Sequence, residues 1–382
     1  MKNHRIAWLL TSAFYYWHPP LAELTKLFPE TTAFVANWRG YSPGFEDSFK
    51  IDIVGERKII PIMKSSQGYG YSFTYLPLNI VNRLLKFKPD VVFSNSFGIW
   101  TMLALLLKPL GKWRVVIAYE GSSPSIDARN SAPRLAIRRA MVKAADACIS
   151  NSQAGKAYLT EILDAQTERV FVHPYEVPAV QALFSQSSDS QVFSQSWKKP
   201  VFIYVGSIIP RKGLNFLLDA CTHLKKQGHT NYTVIIVGDG DQQEELKQFC
   251  QENELNDCVQ WIGRVKYGEL GAYFQKSDVF VLPTLEDTWG MVILEAMILG
   301  KPILCSKFAG ASELIKEGEN GYCFDPYTPE QLAELMMSCI HNPEQNAKMG
   351  EQSEQIMTQY TPEAAAHFLS NVIKSLKPFK RS

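Results

Sequence analysis

The sequence is poor in what would bind a metal ion or close a covalent framework. Its seven cysteines are an odd number, scattered without a C-x-x-C pair or a histidine at ligand spacing. That excludes a disulfide scaffold and a zinc ribbon, and it fits a reducing, cytoplasmic setting. No acidic cluster reads as a metal site, so none is expected. Long apolar runs are also missing: the most apolar segment, Ile99 to Leu107, stops at Lys108 and Pro109, too short to span a bilayer. The N-terminus, MKNHRIAWLLTSAFYYWHPP, has no small-residue cleavage site and reads as a first strand rather than a signal peptide. Glycine is absent from the loop TSAFYYW that follows. VGDGD, Val237 to Asp241, lacks the third glycine of a dinucleotide fingerprint, which argues against a nicotinamide or flavin enzyme.

With 46% apolar and 20% charged residues, the 382-residue chain has an ordinary soluble composition and enough length for two or three domains. A net charge of +1 hides an asymmetry. Residues 1–180 carry 21 Lys and Arg against 14 Asp and Glu; the remainder carries 18 against 24. The basic half suits an anionic partner or plain solvation.

Short buried strands are expected at Arg5–Leu10, Thr32–Ala36, Asp90–Ser94, Arg114–Tyr119, Ala147–Ser150 and Arg169–His173. Helical patterns at Leu78–Lys88, Gly98–Lys108, Arg134–Ala145 and Ser152–Leu163 lie between them. A Ser- and Gln-rich stretch, residues 181–199, reads as a linker between residues 1–180 and 200–360. The alternation then restarts at Val201–Val205, Thr233–Val237, Val259–Ile262, Val279–Leu282 and Pro302–Cys305. Residues 361–382 hold an amphipathic helix, expected to pack back on the first domain. The fold class is α/β: two Rossmann-like, doubly wound domains facing across a cleft, with ligands at the carboxyl edges of the sheets.

VFVLPTLEDTWGMVILEAMILG, Val279 to Gly300, is where chemistry is expected. Almost all of it is apolar, yet Glu286, Asp287 and Glu295 lie within it. A carboxylate in so apolar a helix is costly unless something partners it, and polar ligand groups are the natural candidates. In YVGSIIPRKGLNFLLDA, Arg211, Lys212 and Gly213 stand at the positive end of a helix, which suits a phosphate. Trp261, Ile262, Gly263, Arg264 and Val265 close another strand at the same edge, where backbone could read a nucleobase.

The series G-x5-KG, G-x-G, WIGRV, DVFVLP, EDTWG-x4-EA and GKPIL-x-S-x6-ELI resembles the donor-binding half of retaining glycosyltransferases of family 4, of GT-B fold. In the first half only the strand-helix rhythm and ISNSQAGKAYL, Ile149 to Leu159, resemble it. The resemblance implies that Glu295 accepts hydrogen bonds from the ribose hydroxyls of a nucleoside-diphosphate sugar, UDP- or GDP-linked. Asp287, beside Glu286, would face the transferred sugar, with backbone N–H groups of Thr288, Trp289, Gly290 and Met291 on its hydroxyls. Lys212 would hold the diphosphate, while Gly206, Gly238, Gly263, Arg264 and Val265 line the donor site. Ser207 stands where the family has Arg, so either Arg211 substitutes or the diphosphate is held less tightly. Where relatives often carry His, the chain reads Tyr119, Glu120, Gly121, Ser122, Ser123, making Glu120 a polar group near the sugar. Tyr15, Tyr16, Trp17, His18 and Ser122 are candidate acceptor contacts, the aromatics serving either as a pocket or as packing.

The implied reaction moves a sugar to a hydroxyl with retention, a phosphate oxygen acting as base, without a metal or other cofactor. Two alternatives stay open: a nucleotide-binding, weakly catalytic partner subunit, or a sugar-nucleotide epimerase or phosphorylase. Arg134, Arg138, Arg139 and Lys143, with Arg83, Lys86 and Lys88, suit either solvent or peripheral contact with an anionic membrane at its inner face. No nucleic-acid module is recognisable.

Overall fold

The computed structural model describes residues 4–63, 71–186 and 196–377. It divides into two units, one built from the chain up to Ala179 and again from Tyr360 onward, the other from Val180 to Gln359. Both are parallel α/β layers, as the alternation of short apolar runs with helical patterns requires.

The first unit contains β1 (Ile6–Leu10), β2 (Thr31–Val35), β3 (Lys50–Ile53), β6 (Val91–Asn95), β7 (Arg114–Tyr119), β8 (Ala147–Ser150) and β9 (Val170–Val172) in one sheet of order β3-β2-β1-β6-β7-β8-β9. Every neighbouring pair is parallel. Its central strands are buried along their whole length, which is why they read as continuous apolar runs without alternation. β4 (Lys58–Met63) and β5 (Tyr71–Tyr75) form a separate antiparallel hairpin. Helices Ile80–Phe87, Ile99–Gly111 and Ala132–Ala144 lead into β6, β7 and β8, strands that step successively toward β9, so right-handed crossovers put all three on one face, side by side. The helix His18–Leu27 packs instead against Pro362–Ser375.

The second unit has β10 (Val201–Val205), β11 (Thr233–Val237), β12 (Val259–Gly263), β13 (Val279–Leu282), β14 (Ile303–Ser306) and β15 (Gly321–Phe324), ordered β12-β11-β10-β13-β14-β15. The chain winds one way from β10 to β12, then returns to place β13 on the other side of β10. The loops leaving β10 and β13 therefore diverge and leave a crevice at their carboxyl ends, the switch point where open α/β sheets take ligands.

Several elements depart from the sequence reading. β3, the β4–β5 hairpin and β15 are strands it did not include. The expected helix Ser152–Leu163 is α-helical over Gln153–Ala157 and then widens into a π turn, Tyr158–Ile162, whose Tyr158 is buried with its hydroxyl on the Asp127 carbonyl. Of the expected linker, Val180–Leu183 is a helical turn, and residues 187–195 lie outside the described residues. Among the described residues no helix is long and apolar enough to cross a membrane.

Candidate active site

The loops of the β10/β13 crevice bring together Arg211, Lys212, Glu286 and Asp287. After β10 the chain makes a tight turn at Pro210–Lys212 and starts the helix Leu214–Lys226 directly after Gly213. Arg211 and Lys212 thus sit at a helix N-terminus, where like charge is unfavourable unless an anion compensates it. The compensation comes from the loop after β13. The Lys212 ammonium donates to the Asp287 carboxylate in a nearly buried ion pair, and Arg211 Nη1 donates to the Glu286 carbonyl at 2.5 Å. Thr284 Oγ1 ties the two loops further, donating to the Arg211 carbonyl at 3.2 Å and to that of Glu286 at 3.1 Å. Asp287 is also clamped through its backbone, which takes 3.0 Å and 3.2 Å bonds with Gly310 and Phe308 in the loop after β14.

Gly213 makes this approach feasible. Its φ is +64°, and a Cβ there would lie 2.1 Å from the Pro283 carbonyl oxygen. Gly238 plays the same part between β10 and β11, where a Cβ would meet the Gly206 carbonyl oxygen at 1.9 Å. The glycines of VGDGD therefore serve backbone approach between neighbouring loops.

Glu295 lies in the second turn of Met291–Ile298, a helix that starts at Gly290 in the left-handed region. It is 6% exposed, and burial raises its carboxyl from 4.5 to about 7, with a hydrogen bond from the Tyr267 hydroxyl opposing the rise. Tyr267 follows β12 and was absent from the sequence reading. Its signal would have been an aromatic hydroxyl in KYGEL, next to WIGRV, but nothing local names Glu295 as its partner. Glu286, Asp287 and Trp289 are buried too, whereas Thr288 and Met291 are partly open. Ser207 is exposed, and its carbonyl accepts from the Tyr204 hydroxyl at 2.9 Å. Arg211, the other candidate for the diphosphate, is engaged on the Glu286 carbonyl. Gly263 turns at φ +83°, Val265 is half-buried, and Arg264 stands at the surface paired with Asp239 at 3.0 Å.

In the first unit the structure corrects part of the candidate acceptor set. Trp17 packs edge-on against Trp8 inside the domain, and His18 is fully buried. Nδ1 of His18 accepts from the Ser42 backbone N–H at 2.9 Å and lies 2.8 Å from the Ser42 hydroxyl; burial lowers its pKa from 6.5 to about 4. Neither side chain is presented to a ligand, because two prolines carry the chain straight from the aromatic turn into a buried helix. Tyr15 and Tyr16 stay half-buried. Ser122 donates its hydroxyl to Asp127 at 2.6 Å, in a network where Asp127 also accepts from Tyr119 and Arg129. Glu120, at the end of β7, is half-buried and accepts from Asn95 at 3.4 Å. Near it lies buried Glu176, passed over by the sequence reading, whose carboxyl is held well above its ordinary value by burial and then by the Glu120 charge.

Two Rossmann-like units, with cations, carboxylates and helix N-termini gathered at a switch point of the second, define a protein of the GT-B class. Comparison with known proteins gives a family match on each unit. The profile described as Glycosyl transferases group 1 matches residues 186–356, and that described as Glycosyltransferase Family 4 matches residues 30–175. Both profiles are of glycosyltransferases, one falling on each unit of the chain. It is 25% identical over 303 residues to the sulfoquinovosyl transferase SQD2 of Arabidopsis thaliana, covering 76% of this chain and 58% of that one. To the alpha-D-kanosaminyltransferase of Streptomyces kanamyceticus it is 25% identical over 179 residues, 47% of this chain and 46% of that one. The chain thus spans about half the length of the curated relatives it matches. Among solved structures, Anabaena HepE in complex with UDP superposes with a TM-score of 0.73 at 18% identity, covering 97% of this chain and 100% of that one. The sucrose-phosphate synthase of Thermosynechococcus elongatus gives 0.71 at 18% identity, over 97% and 98% of the two chains.

Proposed function

We propose that the protein is a retaining glycosyltransferase that moves a sugar from a nucleoside-diphosphate sugar, UDP- or GDP-linked, to a hydroxyl acceptor without using a metal. The observation that carries this reading is the gathering of Lys212 and Asp287 on the two loops of the β10/β13 crevice, with Glu295 in the helix that the second loop enters. Anabaena HepE, of the same fold, was solved with UDP and with UDP-glucose, which favours a UDP-linked donor.

In this reading the Glu295 carboxylate accepts from both ribose hydroxyls, and Lys212 exchanges Asp287 for the diphosphate. Asp287 is thereby released to face the transferred sugar, while the positive end of the Met291–Ile298 helix and the N–H groups of residues 288–291 hold the sugar hydroxyls. Charge grows on the leaving diphosphate as the anomeric C–O bond breaks, and Lys212 with the Leu214–Lys226 helix terminus is preorganised to stabilise it. The acceptor oxygen bonds to the anomeric carbon on the face the diphosphate leaves, and its proton passes to a phosphate oxygen. The first unit receives the acceptor, with Glu120 as a polar contact, and meets it at an anionic membrane surface.

The test is turnover of UDP-sugars and GDP-sugars against a panel of hydroxyl acceptors, with product anomers read by proton NMR. Transfer with retained configuration supports the reading. An inverted product, an epimerised sugar nucleotide, or nucleotide binding without any transfer contradicts it.

A further inference from the structure

We infer that Cys305 and Cys323 form a reversible disulfide when a hydroperoxide oxidises them, and that closing it loosens the loop that clamps Asp287. The two residues are direct register partners on neighbouring parallel strands, Cys305 in β14 and Cys323 in the edge strand β15. Register partners project to the same side of a sheet, and strand spacing sets their Cα atoms about 4.8 Å apart, within the span of a disulfide. Their sulfurs lie 4.0 Å apart. All seven cysteines are free thiols, but they are not equivalent. Six are buried, and burial pushes Cys148, Cys250 and Cys339 up to about 12, where a thiol is unreactive. Cys323 alone is partly open. The hydrogen bond between the two thiols holds Cys305 well above its ordinary range and brings Cys323 below it, so Cys323 supplies the thiolate and the buried Cys305 lies ready beside it.

With hydrogen peroxide as oxidant the step balances. The Cys323 sulfur bonds to one peroxide oxygen as the O–O bond breaks, and the other oxygen leaves as water. The Cys305 sulfur then displaces the oxygen from Cys323, which departs with the Cys305 proton as a second water. Two thiols lose two electrons, and the peroxide takes both. The sulfurs must close by about 2 Å between strands already in register, so the bond is strained and a dithiol reductant reopens it.

That movement has a path to the crevice. β15 is paired on one side only and gives way before β14 does. Cys323 Sγ lies 3.8 Å from the Ser312 carbonyl oxygen, in the turn Gly310–Leu314, and swinging toward Cys305 breaks that contact. The next residue, Phe324, accepts from the Lys307 N–H at 3.0 Å. Residues 307–312 in turn fix the Asp287 loop: the Asp287 N–H donates to Phe308, the Gly310 N–H to Asp287, and the Ala311 N–H to Trp289 at 2.6 Å. An effect of oxidation on sugar transfer rests on the function proposed above; the disulfide and the loosened clamp do not.

Treatment of the full chain with hydrogen peroxide, then alkylation and peptide mass spectrometry, tests the inference beside hydrogen exchange of the Asp287, Gly310 and Ala311 amides. A single cross-link, Cys305 to Cys323, is expected and should be removed by dithiothreitol, while the other cysteines stay reduced. In the oxidised form the three amides should exchange roughly tenfold faster. Cys323→Ser, a near-isosteric change at a partly open site, should show neither the cross-link nor the faster exchange. UDP titration of the reduced chain reports on the donor site alone, so a failed donor reading appears there and not in the cross-link. Thiols that remain separately alkylated, Cys323 carried to sulfinic acid without a cross-link, a cross-link to another cysteine, or an oxidised chain whose three amides exchange as in the reduced form would each overturn the inference.

Discussion

Lys212 and Asp287, 75 positions apart in the chain, form a nearly buried ion pair that joins the loop after β10 to the loop after β13. The pair compensates a cation held at a helix N-terminus, and each partner is a group to which the proposed function gives a ligand. Binding a diphosphate is then an exchange of anions at Lys212 rather than the filling of a bare cationic site.

Removing one partner leaves the other charged and poorly solvated. Lys212→Ala should destabilise the second unit by about 3 kcal/mol, and adding Asp287→Ala should recover part of that loss. Urea denaturation of the four forms of this cycle measures it. Additive losses would show that the ion pair carries no coupling.

Glu295 gives the second unit a pH dependence of known sign. The unfolded chain releases this proton near 4.5, the folded chain only at about 7, so the folded form holds more protons between them. Its contribution to stability is complete below 4.5 and is lost as pH rises to about 7, a difference on the order of a few kcal/mol. Denaturation from pH 4 to 8 should show this slope in wild type and its loss in Glu295→Gln.

Nucleotide binding should run the other way. A ribose diol donates to the carboxylate, so affinity should fall as pH drops below about 7, approaching tenfold per unit. Comparing wild type with Glu295→Gln isolates this slope from the titration of the nucleotide's own phosphate.

In the first unit the buried His18 acts with the opposite sign. Its pKa falls from 6.5 to about 4 on folding, so between those values the unfolded chain binds more protons. Stability from this group is complete above 6.5 and is lost as pH falls toward 4. His18→Gln should flatten that window, as read by hydrogen exchange of the β1 and β2 amides.

Gly213→Ala should cost at least 2 kcal/mol and weaken nucleotide binding. The new methyl would meet the Pro283 carbonyl oxygen at 2.1 Å at a φ of +64°, and the two loops must part to admit it. A wild-type midpoint in urea would contradict the tight crossing of these loops.

Much of the second unit is legible in the sequence, because buried parallel strands leave continuous apolar runs, and an acid in such surroundings stands out. Glu295 could be singled out from its neighbours Leu294 and Ala296 alone. Its partner could not: Tyr267 meets it through the packing of β12 beside β11, and no local pattern records that. The Lys212–Asp287 pair was hidden for the same reason, since both residues were legible as ligand groups and only the crossover brings them together. β15 escaped because GYCF opens on a glycine and is only half-buried at its two middle residues, so it leaves no continuous apolar run as the equally short β8 and β13 do. Trp17 and His18 misled because an aromatic string carries no period, so which rings turn inward depends on the helix that follows.

If the proposed function holds, the β10/β13 crevice binds a nucleotide through Lys212 and Glu295. Calorimetric titration of UDP, GDP and ADP into wild type, Glu295→Ala and Lys212→Ala, each verified folded by circular dichroism, tests it most directly. Wild type should bind one nucleotide preferentially, and both variants should bind it at least tenfold more weakly. No binding by wild type, or variants that bind as wild type does, would contradict it.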